Sequence, residues 1–260
     1  MEQASYEKIL LSRRGRVLTL TLNAPETLNA TDAVLHEELS RVFVDAAADP
    51  DSDIIILTGA GRAFSAGGDV EAMQLSIDNP ALFETVIFEA KRIIFSLLDC
   101  EKPIIAKVNG HAMGLGATIA LFCDIIYAAD HAKIGDPHVS VGFVAGDGGS
   151  VIWPQLIGFA RAKEYLLTGR PLSAAQAAEI GLINRALPAA KLNEAVDRLA
   201  DELAAGAAKA IRWTKVTINI ALKQLAHSMM DTGLAYEAMS NLTDEHRDLV
   251  RAFRAKAAKS

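Results

Sequence analysis

Apolar positions recur along this chain in two rhythms. Short apolar or β-branched runs over residues 6–11, 17–22, 54–58, 103–108 and 125–128 have the length and composition of strands. The run at 54–58, with acidic residues before it and Gly59 after it, reads as a strand buried on both faces. Leu35, Leu39 and Val42 instead share a helical face, predicting a helix from a Thr31 or Asp32 cap to about residue 47. Further helices are expected over 81–98 and 117–123. From Ser173 the rhythm is helical, over 174–180, 192–205, 207–225, 231–240 and 243–256, and strand signals largely stop after Asn184. This order predicts an α/β layered core over residues 1–199 and a helical region over 200–260.

Composition narrows the function classes. With 51% hydrophobic and 22% charged residues, the 260-residue chain is globular rather than disordered. A formal charge of −6 argues against a broad basic surface, so neither nucleic acid nor a membrane is expected as partner. The apolar runs are too short for a bilayer, and the N-terminal residues lack the basic-then-apolar order of a signal segment. Cys100 and Cys123 lie in apolar stretches without CxxC spacing, which reads as buried free thiols in a reducing, cytoplasmic setting.

Two glycine-rich turns follow buried strands: Ala66-Gly67-Gly68-Asp69 and Gly114-Leu115-Gly116. Small residues at a helix start expose unpaired N–H groups to a ligand. Two such turns side by side would aim two donors at one oxygen, each worth roughly 3 kcal/mol of transition-state stabilisation. Spacing alone equally allows plain turns, while the absence of GxxxxGK[ST] argues against a phosphate cradle.

The stretches Thr27-Leu-Asn-Ala30, Gly61-Arg-Ala-Phe-Ser-Ala-Gly-Gly-Asp69, Asn109-Gly-His-Ala-Met-Gly-Leu-Gly116 with Cys123-Asp124, Leu167-Thr-Gly169 and Ala178-Glu-Ile-Gly-Leu-Ile-Asn184 resemble the enoyl-CoA hydratase/isomerase (crotonase) superfamily. The motifs stand in family order across almost the whole chain. The resemblance implies a spiral of ββα turns, a C-terminal helical trimerisation region, a homotrimer or homohexamer, and an acyl-CoA thioester as substrate without a separate cofactor. It implies that the N–H groups of Gly68 and Leu115 hold the thioester oxygen, Leu115 standing where many relatives have glycine. It also implies that Leu28, Ala30, Ala66 and Asp69 lie where coenzyme A is held. Lys256 is either a phosphate-side lysine or a solvated tail residue.

The family's hydratases hold water between two glutamates, and here those positions are Thr118 and His138. A threonine is no base at neutral pH, which puts standard hydration in question. His138, with an ordinary pKa of about 6.5, can exchange protons near pH 7. Asp147 follows in a loop able to fold back, so a His138–Asp147 dyad is expected, the carboxylate fixing the tautomer from the far ring nitrogen. A camphor-pathway β-diketone hydrolase, from a divergent branch of the superfamily, is similar at Pro137-His138, Gly146-Asp-Gly148 and Trp153-Pro154. Three functions follow: hydration or double-bond migration on an enoyl-CoA, carbon–carbon hydrolysis of a β-diketone, or a non-catalytic coenzyme A scaffold.

Other residues are read more plainly. Asp69 caps the next helix, Glu71, Met73 and Gln74 are candidates for the acyl pocket, and His111, Asp124, Phe143 and Trp153 are read as packing. His36, His131, His227 and His246 lack metal-site spacing, so no metal is expected. Glu237 and Glu245 are assigned to solvated helix faces.

Overall fold

A computed structural model of the protein describes residues 1 and 5–257, the last two without side chains. Strands β1 (Ile9–Arg14), β2 (Val17–Leu22), β3 (Ile54–Gly59), β5 (Ile104–Val108), β7 (Ile125–Ala129) and β10 (Arg185–Leu187) form one sheet in that order. Strands β4 (Ala63–Ser65), β6 (His111–Met113), β8 (Lys133–Gly135) and β9 (Leu172–Ser173) form a second, smaller sheet. The chain steps from the large sheet to the small one at β3–β4, β5–β6 and β7–β8, then into helix. Each step is a ββα turn, and the turns stack as a spiral through parallel pairing of β3 with β5 and β5 with β7.

The helices follow from local signals. Helix α1 (Ala33–Ala48) starts at Asp32, whose carboxylate accepts the Leu35 N–H at 3.0 Å. Helices α2 (Val70–Asp78) and α3 (Leu82–Asp99) follow β4, and α4 (Leu115–Leu121) follows β6. Helix α5 (Gly149–Thr168) is kinked at Gly158, where φ is 78°. Helices α6 (Ala174–Glu179), α7 (Ala189–Ala204), α8 (Ala208–Asn241) and α9 (Asp244–Ala257) complete the described chain.

The doubly buried reading of β3 holds in detail. Ile55 and Leu57 join the main core with Leu39, Phe43 and Ile94, whereas Ile54 and Ile56 meet Leu192, Val196 and Ala200 of α7 on the other face. The 199/200 boundary therefore falls inside a helix that covers the sheet.

Two expectations are corrected. Residues 207–225 and 231–240 are one 34-residue helix, α8, because 226–230 hold neither proline nor glycine and Met230 is buried. Strand order continues past Asn184: β10 pairs with β7, anchored by the Asn184 side chain accepting the Ile126 N–H at 2.7 Å.

Candidate active site

Asn29 ties the first glycine turn to the core. Fully buried and left-handed at φ 55°, it accepts the Ala24 N–H and donates to the carbonyls of Ala60, Ala63 and Phe64. Ser65 bonds the Asn29 carbonyl and receives the Gly67 N–H. A bridge from Thr31 to Gly68 then fixes the turn, with Thr31 donating to Gly67 and Asp69 donating to Thr31.

The second turn abuts the first. A Cβ on Gly67 would lie 2.7 Å from the Met113 carbonyl and 3.5 Å from the Gly114 Cα, so only glycine permits this approach. Leu115 is the first residue of α4, with its N–H outside the helix ladder. Among the described residues, neither the Gly68 nor the Leu115 N–H has a protein acceptor. Both residues line one cavity of about 280 Å³, together with His138, Asp147 and Glu237. Most of the wall is apolar, from Met73, Leu75, Leu82, Phe83, Val86 and Phe143.

His138 opens a short 3-10 turn, His138–Val141, after β8. A Cβ on Gly114 would sit 3.6 Å from its Cε1, placing the ring against the second glycine turn. Both ring nitrogens meet carboxylates: Nδ1 a close hydrogen bond to Asp136, and Nε2 the Asp147 Oδ2 at 3.4 Å. Asp147 in turn receives the Thr118 hydroxyl and the Gly149 N–H, each at 3.4 Å. A carboxylate thus lies between the two positions, 118 and 138, where a hydratase carries glutamates.

The dyad differs from expectation in one respect. The tight partner on Nδ1 is Asp136, two residues upstream, and Asp147 faces the opposite nitrogen at longer range. Burial pulls the His138 pKa down, but the charges of Asp136 and Asp147 outweigh it and hold the ring well above 6.5. Burial raises the Asp147 pKa, and the imidazolium more than reverses this, leaving it below the usual range. Asp136, His138 and Asp147 offer ligand atoms within 4.8 Å of one another. Each nitrogen of His138 faces a carboxylate, so a proton can pass among the three groups.

Glu237 overturns its assignment to a solvated face. It is buried, lines the cavity, and its Oε2 has no hydrogen-bond partner among the described residues. Burial, and then the negative charge of Asp147, push its pKa up to about 8. The signal in the sequence was Gly233, one turn earlier: glycine inside a helix is costly unless something packs on it. A Cβ on Gly146 would overlap the Gly233 carbonyl, so this contact brings the Asp147 loop onto α8 beside Glu237.

The remaining candidates sort clearly. Asp69 caps α2 by accepting the Glu71 and Ala72 N–H groups and also lines the cavity. Met73 faces the cavity, but Glu71 and Gln74 point outward to Arg254. Leu28 and Ala66 satisfy each other through a 3.0 Å backbone bond, and Ala30 lies beside them; none of the three lines the cavity. The Lys256 side chain lies outside the described residues. His111 accepts the Lys133 N–H away from the cavity, Asp124 pairs with Lys215 at 2.7 Å, and Trp153 is core. Phe143 does line the cavity, stacked on the buried His246 with ring centroids 3.8 Å apart. His36 bonds Glu89 at 2.6 Å, both on the cavity wall, and Glu245 is exposed.

Comparison with known proteins agrees with this architecture. The Enoyl-CoA hydratase/isomerase family profile matches residues 12–253. A probable enoyl-CoA hydratase of Mycobacterium tuberculosis is 36% identical over 233 residues, covering 90% of this chain and 88% of that protein. An enoyl-CoA hydratase/isomerase of Mycobacterium paratuberculosis, solved as a crystal structure, superposes with a TM-score of 0.90 at 36% identity, over 94% of this chain and 98% of that one. A β-diketone hydrolase of Anabaena sp. PCC 7120, solved bound to (S)-3-oxocyclohexyl acetic acid, gives 0.86 at 31% identity, over 92% and 96%. The chain belongs to the enoyl-CoA hydratase/isomerase family.

Proposed function

We propose that this enzyme binds the thioester oxygen of an acyl-CoA on the Gly68 and Leu115 amides and carries it through an enolate, with His138 exchanging the proton. The observation that carries this reading is the pair of unpaired N–H groups on the same cavity wall as His138. Negative charge builds on the oxygen only as the enolate forms, so fixed donors lower the barrier more than they tighten binding. Asp136 holds the ring by Nδ1 and leaves the Nε2 edge as the working one, with Asp147 beside it.

Water addition needs two groups to orient and split one water, and positions 118 and 138 no longer supply a carboxylate pair. Double-bond migration needs no water, only removal of a proton at one carbon and its return at another, and fits this site better. Leu28, Ala30, Ala66 and Asp69, with Lys256, are assigned to the nucleotide end of coenzyme A. Exposed Trp213, Ile218, Ile220, Tyr236 and Met239 on α8 support a homotrimer or homohexamer. Among the described residues no helix is long and apolar enough to cross a membrane.

A second reading, hydrolysis of a β-diketone carbon–carbon bond, draws on one observation: the imidazole–carboxylate arrangement replaces both glutamate positions, in a chain similar to the Anabaena hydrolase. Calorimetry with coenzyme A, and turnover of a straight-chain 3-enoyl-CoA against a cyclic 1,3-diketone, separate the two. The thioester reading expects coenzyme A binding and enoyl-CoA turnover that falls at least a hundredfold in His138→Ala. No coenzyme A binding, with turnover of the diketone, would replace it with the second reading.

A further inference from the structure

The proton inventory of the cavity is uneven. His138 meets a carboxylate at each nitrogen, so a proton that it takes from substrate is held between Asp136 and Asp147 rather than handed back to carbon. Asp147 is held by Thr118, Gly149 and His138 and carries no proton to give. An enolate must nevertheless be protonated at carbon before product can leave. Of the other acids on the cavity wall, Glu237 is the one beside Asp147. Glu237 projects from α8 into the same cavity, and its Oε2 would lie 2.8 Å from a Cβ on Gly146, next to Asp147.

A carboxyl kept only for structure would have both oxygens paired, since an unpaired buried polar atom is costly. Oε2 is buried and partnerless among the described residues. The carboxyl touches the Gly146 backbone, and its Oε2 is left facing the reacting region.

Resting on the enolate reading above, we propose that Glu237 is the general acid of this enzyme, a neutral carboxyl that hands its proton to the enolate carbon while His138 takes up the proton removed from substrate. The balance is simple. The Oε2–H bond breaks with its electron pair left on the carboxylate. The enolate π pair forms the new C–H bond, and the carbonyl reforms as charge leaves the oxygen held by the two amides. His138, now carrying the proton taken from substrate, returns one to Glu237 and resets the site. In the hydrolytic reading the same acid protonates the carbanion expelled by carbon–carbon cleavage.

The charges around Glu237 favour its neutral form. Asp147 and Asp136 oppose ionisation, His138 favours it, and burial decides for the acid, which loses its proton at about 8. The other titratable groups lining the cavity are Asp32, Asp69, His36 and Glu89. The expected pH profile is a bell. His138 must lose a proton to act as base, which places the acid limb above 6.5, and Glu237 must keep its own, which places the alkaline limb near 8.

The test compares wild type with Glu237→Gln and Glu237→Asp, on whichever of a straight-chain 3-enoyl-CoA or a cyclic 1,3-diketone wild type accepts. E237Q keeps the shape and removes the proton. The expected result is a fall in kcat of a hundredfold or more, little change in KM, and loss of the limb near pH 8. E237D should recover part of the rate with the limb displaced. Infrared difference spectra of wild type against E237Q should show a carboxylic-acid carbonyl band at pH 6 that bleaches through about pH 8. A folded E237Q with wild-type rate and an intact alkaline limb overturns the proposal, as does absence of that band at pH 6. A wild type inactive on both probes overturns the enolate reading itself, a distinct result.

Discussion

At the level of single side chains, Asp136 governs what His138 can do. It takes Nδ1, fixes which edge of the ring faces substrate, and contributes most to holding the imidazole cationic against burial. Asp136→Asn keeps the shape and removes the charge, so the ring pKa should fall and kcat should drop roughly a hundred- to ten-thousandfold. An NMR titration of the His138 ring, read beside steady-state rates, checks both effects together. A ring titrating unchanged in D136N would mean that Asp147 alone sets its charge. The sequence pairs His138 with Asp147, which the fold sets beside Nε2, and does not single out Asp136, which takes Nδ1. The reason is local: in Asp136-Pro137-His138 the carboxylate returns to the ring across two residues, a contact that no periodic pattern encodes.

Among elements, the site is a meeting of turns rather than a property of any one helix or strand. Asn29 holds this meeting together, because its four hydrogen bonds join the 24–31 loop to the 60–64 segment that leads into Gly67 and Gly68. Asn29→Ala takes a partner from one buried amide and from the carbonyls of Ala60 and Phe64, leaving Ala63 to Asn109, and should cost about 3 kcal/mol or more in urea unfolding. Turnover of whatever protein still folds should also fall, since the Gly68 amide loses its anchor. A loss under about 1 kcal/mol would show that the turn stands without it. Both glycine turns, the Asp32 and Asp69 caps, and the doubly buried β3 could be read from the chain, because each is written within a few residues. Glu237 could not, since its burial depends on a loop almost a hundred residues away. The two clues were Gly233 and Gly146, glycines whose missing side chains let α8 and the Asp147 loop touch. Similarly, the gap expected at 226–230 is continuous helix, since nothing in those residues ends one.

For the whole molecule, a neutral carboxyl in the cavity leaves a mark on folding that does not depend on knowing the substrate. Glu237 titrates at its ordinary 4.5 in the unfolded chain and at about 8 in the fold. Below 4.5 both states hold the proton and ionisation costs nothing. Between these values the unfolded chain has released a proton that the folded one retains, so stability declines as pH rises, by about 1.4 kcal/mol per pH unit at most. By pH 7 the deficit passes about 3 kcal/mol, some 2.5 pH units down that slope. His138, with its raised pKa, adds stability that is complete below about 6.5 and is lost as pH rises from there, whereas Asp147, with its lowered one, adds stability that is already complete above the unfolded carboxylate value. The difference between wild type and E237Q isolates the one carboxyl from these neighbours. E237Q should gain on wild type steadily from pH 5 to pH 8 in denaturant midpoints taken at matched ionic strength. Parallel stability curves for the two proteins would mean that Glu237 is already ionised at neutral pH. Glu237 would then carry charge beside Asp147, and the acid for the enolate carbon would have to be sought elsewhere.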